Sequence, residues 1–345
     1  MIEKTIFENN EEIILYVKEV YGLDIYDVRK INRGSANIYS LNDDKYILKE
    51  FQSKYSKVEI DKEIEVINHL RKFDIKVPEY VKTLNGRYDD VYKNKTIIIQ
   101  YFIEGYTLNN NEGTYDQTME CADYYGKIVS ALKSLPIELP DADLSSWYSQ
   151  ENFALSIKKH EDLLPMLDEN DETDQKIKKD ILEKIEMIKS ISSSTDFEEM
   201  ANLSVLNTHG DYNLLQFIYK DGKINAVIDF VSACKMPIVW ELIRSYSYID
   251  KDAKDGEFNL DTFVDYVKIF NKYIKLNKYD LKYMAHLYLI QILNSNFGYK
   301  QYIYNHENTE LLKFGYLRTN ICRYLFNNVS IISKRLEDEL ENNVW

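Results

Sequence analysis

Cysteine is scarce and poorly placed for chemistry: the 345-residue chain has three, Cys121, Cys234 and Cys322, far apart and odd in number. No Cys-x-x-Cys pair or Cys/His cluster occurs, which excludes a zinc site and a disulfide framework. Long apolar runs are missing as well, so no segment reads as a membrane-spanning helix. Residues Met1–Glu8 have no basic stretch followed by an apolar one, so no secretory leader is expected and the chain reads as cytoplasmic. Positive charge is in deficit: 43 Lys and Arg against 57 Asp and Glu give a net charge of −14. Such a surface repels nucleic acid and anionic membranes, and neither is an expected partner.

What is present points to two lobes, because a chain of this length exceeds one small core. Short strand-like pieces run through Val28–Ile31, Ile38–Leu41, Tyr46–Phe51, Val81–Thr83 and Thr96–Phe102. An amphipathic helix over 59–72 separates the third from the fourth, its stripe formed by Ile60, Ile64, Ile67 and Leu70. After Glu104-Gly105 the pattern turns helical, with segments expected at 121–135, 153–160, 174–190, 239–248, 260–274 and 281–294. The expectation is an α+β chain: a small antiparallel-sheet lobe with one long helix over residues 1–104, and a larger, mainly helical lobe over 105–345.

One stretch interrupts the helices. It reads His209-Gly210-Asp211, then a hairpin turn at Lys220-Asp221-Gly222-Lys223, then Ile228-Asp229-Phe230. Two carboxylates 18 residues apart, each beside strand-like sequence, suit phosphoryl transfer. Asp211 in a polar turn can accept the proton of an attacking hydroxyl, and Asp229 at a strand end can hold Mg²⁺ on the nucleotide phosphates. Gln216, five residues after Asp211, falls where an amide that supports the site residues or one that coordinates a metal would sit. In the first lobe Lys49 lies in an apolar strand, and Glu63, 14 residues on, is a partner able to aim it at phosphate oxygens. Glu59, one turn earlier, is the alternative partner. The loop containing Gly34 and Ser35 has one glycine rather than three, and only its position between strands recommends it as a phosphate cover. Gln100–Gly105 closes the last strand, with the backbone at Gln100 and Phe102 expected to form a hinge for the adenine ring.

His209-Gly210-Asp211 and Ile228-Asp229-Phe230 together resemble the aminoglycoside phosphotransferase and choline-kinase-like superfamily of small-molecule kinases, over about residues 25–250. Spore-coat-associated and homoserine-kinase-type members share the general pattern. The resemblance implies a bilobal protein-kinase-like fold, ATP or GTP with Mg²⁺, Asp211 as base, Asp229 as metal ligand, and Lys49 with Glu63 on the phosphates. Gln216 departs from the family's asparagine, and Asn213 from a common histidine. In Trp240–Arg244, Glu241 stands where many relatives have an aspartate that steadies the catalytic loop. Residues 140–200 and those after 250 are expected to form the pocket for a hydroxylated acceptor of aminoglycoside, amino alcohol or amino acid type. The chain's acidity suits a cationic one. The rival reading is a catalytically weak kinase-shaped binding or spore-coat protein, for which Gln216 is the main support.

Overall fold

The computed structural model describes residues 3–31 and 36–340, apart from the side chain of Ser145. Helix α1 (Asn10–Tyr21) precedes strands β1 (Val28–Ile31), β2 (Asn37–Leu41) and β3 (Tyr46–Glu50). Helix α2 (Lys57–Arg71) follows, then β4 (Asp89–Tyr92) and β5 (Lys95–Tyr101). The strands form one antiparallel sheet in the order β1-β2-β3-β5-β4.

The count of five strands is as expected, but the fourth is not Val81–Thr83. That segment lies along β5 through Val81 N–H to Ile99 C=O (2.8 Å), then turns back at Asn85-Gly86. The turn frees Asp89–Tyr92 to pair with Lys95–Ile98 across the tight Lys93-Asn94 turn. Two adjacent aspartates are poor strand formers, which is why the alternation of this edge strand is hard to see in the sequence.

Helix α2 starts where Ser56 and Glu59 cap each other, with Glu59 accepting the Ser56 N–H at 2.7 Å. This capping box occupies Glu59 and leaves Glu63, one turn further on and buried, to face the sheet. The apolar stripe of α2 joins a core that includes Phe51 and Ile98 of the sheet region together with Tyr212 and Phe230 far along the chain. The opposite sheet face has its own core, closed by Ile13, Tyr16 and Val17 of α1.

Helices α3 (Tyr115–Leu132), α4 (Gln150–Glu161), α5 (Glu172–Ser194) and α6 (Phe197–Met200) come next. Four strands follow: β6 (Val205–Thr208), β7 (Phe217–Lys220), β8 (Lys223–Val227) and β9 (Cys234–Pro237). They make two pairs, β6–β9 and the β7–β8 hairpin. Helices α7 (Ile238–Ile249), α8 (Leu260–Asn271), α9 (Lys278–Leu293), α10 (Tyr299–Tyr304) and α11 (Thr309–Leu340) complete the chain. The sequence pattern left α11 unassigned beyond residue 294, although its buried Leu312, Ile321, Leu325, Ile332 and Leu336 recur at helical spacing. Gly105 is required where the two regions meet, because a Cβ there would lie 2.2 Å from the Tyr219 carbonyl oxygen.

Two buried histidines make the fold sensitive to acid. The His160 Nδ1–H donates to the Ser156 carbonyl (2.8 Å), and burial, aided by nearby Lys184, pushes its pKa down to about 3. Burial likewise lowers His286 to about 4. Both stay neutral in the fold, whereas in the unfolded chain they take up protons below about 6.5. The unfolded state therefore binds more protons between pH 6.5 and 3, and stability falls as pH falls through that window. Urea midpoints should drop between pH 7 and 4, and His160→Gln should flatten the drop. A profile as steep in the variant as in the wild type would refute this assignment for His160.

Candidate active site

Three charged groups meet where the sheet faces the β7–β8 hairpin. Lys49 Nζ donates to Asp229 Oδ1 at 3.0 Å and lies 3.8 Å from Glu63 Oε1. The ammonium also sits 4.4 Å from the centre of the Phe51 ring. Burial works against the charge of Lys49, but Glu63 and Asp229 outweigh it and the net effect raises its pKa. Burial would raise Asp229, yet Lys49 attracts its ionised form more strongly and its pKa is lowered. For Glu63 burial wins over the pull of Lys49, and its pKa is raised. The lysine is thus fixed as a cation and Asp229 as an anion.

Asp229 itself has a left-handed backbone (φ 69°, ψ 55°), which is costly for a residue with a side chain. The β7–β8 hairpin holds it there: Ile228 N–H donates to the Gln216 carbonyl (2.9 Å), and His209 meets the Ile228 carbonyl through Nε2 (2.9 Å). The other ring nitrogen of His209 accepts the Asp211 N–H (3.3 Å). With Nε2 as donor and Nδ1 as acceptor, one buried imidazole ties the Asp211 loop to the backbone beside Asp229. Gly210 makes the approach possible, since it has φ 84° and a Cβ there would fall 1.8 Å from the Ser232 carbonyl oxygen.

Asp211 is held at both oxygens. Arg244 Nη2 donates to Oδ1 (2.8 Å) and Gln216 Nε2 donates to Oδ2 (3.2 Å). The Arg244 guanidinium lies against the rings of Trp240 (5.1 Å) and Tyr248 (5.8 Å). Buried Glu241 anchors the same loop, accepting the Tyr212 N–H at Oε1 (2.8 Å) and the Thr208 hydroxyl at Oε2.

A family model described as APH, phosphotransferase enzyme family, matches residues 27–270. The chain belongs to that family. Solved structures similar to this family member include the aminoglycoside phosphotransferase from Alicyclobacillus acidocaldarius (12% identity, 97% of this chain and 98% of that one, TM-score 0.63). Another is a spectinomycin phosphotransferase in complex with ADP and spectinomycin (16% identity, 95% and 98% covered, TM-score 0.60). A third is a microcompartment-associated aminopropanol kinase (14% identity, 95% and 100% covered, TM-score 0.60). At these identities the likeness is one of fold. No curated protein matches the chain.

In this phosphotransferase-family chain the structure brings several of the residues expected from sequence together. Lys49, Glu63 and Asp229 meet directly, and Asp211 joins Asp229 through His209. Gln216 reaches Asp211 by its side chain and the strand before Asp229 by its carbonyl. Its amide nitrogen is committed, so its side-chain oxygen is the end left for a cation. Gly34 and Ser35 lie outside the described residues. At the expected hinge, Gln100 pairs with Ile47 and the Phe102 N–H donates to the Lys45 carbonyl (3.0 Å), so both backbones serve the sheet. The contact of Arg244 with Asp211 spans 33 residues and so leaves no local trace in the sequence. An arginine one turn after Trp240, in a helix whose residues are otherwise mostly buried, is the available signal.

The helical region holds a cavity of about 660 Å³ that none of these site residues lines. Its lining comes from 146–163 and 291–304, the two regions expected to shape an acceptor pocket. Trp147 in its wall packs on Trp240 (ring centres 4.8 Å apart), which in turn packs on Arg244 beside Asp211.

Glu241→Ala should destabilise the protein by about 3 kcal/mol, because the Tyr212 N–H would lose its buried partner. Urea denaturation measures this, and an unchanged midpoint would show that the loop does not depend on Glu241.

Proposed function

We propose that this chain transfers the γ-phosphoryl group of a nucleoside triphosphate, ATP or GTP, to a hydroxyl of a small molecule. The supporting observation is the convergence of Lys49, Glu63 and Asp229 on the hairpin that His209 ties to Asp211. Residues 1–104 would carry the nucleotide, and 105–345 the catalytic loop and acceptor. Lys49, aimed by Glu63 and unable to lose its proton there, would bind the α- and β-phosphate oxygens. Gly34 and Ser35 would cover the phosphates. The purine edge would use the backbone at Ile103, the first amide after Phe102, whose own amide is spent on Lys45.

Asp211 would accept the hydroxyl proton as the acceptor oxygen bonds to the γ-phosphorus and the bond to the β–γ bridging oxygen breaks. Arg244 and Gln216 leave lone pairs on both Asp211 oxygens, and their hydrogen bonds fix the carboxylate plane for that transfer. The ionised Asp229 and the free Gln216 amide oxygen are hard donors of the kind Mg²⁺ takes alongside substrate phosphates. When bound, the ion would offset phosphate negative charge.

The rival, a binding or coat protein without turnover, rests on Gln216. A scaffold has no physical need for an ionised Lys49–Asp229 pair or for a strained Asp229 backbone, and these favour the enzyme. Relatives of the same fold are described with aminoglycoside-type or aminopropanol substrates, which favours a hydroxylated acceptor. The net charge of −14 is the argument for a cationic one. The charges at the cavity argue the other way.

ATP or GTP at 100 times its Kd should stabilise the wild type by about 2.7 kcal/mol, in a Mg²⁺-dependent manner. Asp229→Ala should lose that gain. Asp211→Asn should keep the nucleotide-dependent stabilisation but lower kcat by about 10³-fold. Absence of any shift with either nucleotide would favour the coat-protein reading.

A further inference from the structure

The cavity whose Trp147 wall connects through Trp240 and Arg244 to Asp211 is lined by more positive than negative charge, opposite to the protein as a whole. Its charged wall residues are Lys159, Lys300 and Asp162. Among the described residues neither lysine has a carboxylate within ion-pair distance, and Lys300 instead lies 5.9 Å from the Tyr304 ring centre. Two more cations sit directly behind the wall. Buried Lys184 donates to the carbonyls of Ile292 (3.2 Å) and Ser295 (2.6 Å). Buried Arg318 donates to the Ser295 hydroxyl (3.0 Å), and its Nε has no hydrogen-bond partner. Ser295 and Asn294 line the cavity, and the Asn294 Oδ1 is buried and unpaired as well. Two lysines and one carboxylate, Asp162, thus line the space, while Arg318 and Lys184 lie behind Ser295, burial lowering the Lys184 pKa to about 8 against the pull of Asp180.

A volume of this size suits a small-molecule ligand. A polycation entering it would bring several ammonium groups against like charge, with buried Lys184 and Arg318 poorly screened by salt. An acidic group would meet Lys159 and Lys300 at the rim and the field of the two buried cations beneath. We propose that the acceptor is a small hydroxylated molecule carrying an acidic group, held by Lys159 and Lys300. The inference rests on the phosphotransferase reading of the Asp211 site and narrows its acceptor class. Trp147 and Trp240 would form the wall between the acidic end and the reacting hydroxyl.

The test uses the full chain with ATP and GTP, following nucleoside diphosphate release. Acceptors are L-homoserine and D-gluconate as carboxylates, a hexose phosphate as the other acidic source, and kanamycin and 1-amino-2-propanol as cations. The expected result is turnover with an acidic acceptor and none with kanamycin. Lys159→Glu and Lys300→Glu should each raise KM for that acceptor about tenfold, with the effect on KM rather than kcat. Lys313→Glu, an exposed site on α11 outside the cavity wall, should change neither. Both cavity variants should keep the nucleotide-dependent thermal shift of the wild type.

Preferential turnover of kanamycin or 1-amino-2-propanol would overturn the proposal. So would a KM for an acidic acceptor that ignores both charge reversals. Failure of every acidic acceptor in a protein with an intact nucleotide shift would overturn it while leaving nucleotide binding standing. Loss of the nucleotide shift in the wild type would instead sink the phosphotransferase reading, and this proposal with it.

Discussion

A single ammonium group holds the site together. Lys49 reaches across 180 residues of sequence to Asp229 while Glu63 stands behind it. Removing any one member leaves a charge in a poorly solvated place without its counterpart, which is far more costly than losing an exposed pair. The arrangement thus makes ionisation, position and fold interdependent. The sheet supplies the lysine, α2 the glutamate and the hairpin the aspartate, so the site exists only when three separate elements have packed.

The second half of the site is organised by backbone rather than charge. His209 spends one nitrogen on each of two loops, and Gly210 lets the chain pass the Ser232 carbonyl with no side chain between them. The sequence shows His-Gly-Asp as a pattern but not the reason for its glycine, since Ser232 is 22 residues away in the chain. Lys49 and Glu63 were legible because a lysine inside an apolar strand and a glutamate on a buried helix stripe are local anomalies. The order in which they precede Asp211 and Asp229 did the rest.

What was not legible has a common cause. Arg244 on Asp211, the loss of the Phe102 amide to Lys45, and the choice of Asp89–Tyr92 as edge strand are settled by partners remote in sequence. Local propensity points the wrong way for Asp89-Asp90, and pairing with β5 overrides it. Glu59 was a reasonable rival to Glu63 until the cap at Ser56 claimed it. Whole-chain charge is likewise silent on local charge, since an acidic average does not show that Lys159 and Lys300 line one cavity.

The core around α2 bears on how the chain can be divided. The stripe of Ile60, Ile64, Ile67 and Leu70 belongs to one continuous apolar body with Tyr212, Phe230 and the helices beyond. A cut at Glu104-Gly105 would split that body, leaving water against apolar surface on both fragments. The first hundred residues are therefore no portable nucleotide-binding module. Grafting, circular permutation or split-reporter designs would succeed only at breakpoints that keep α2 with the helical region.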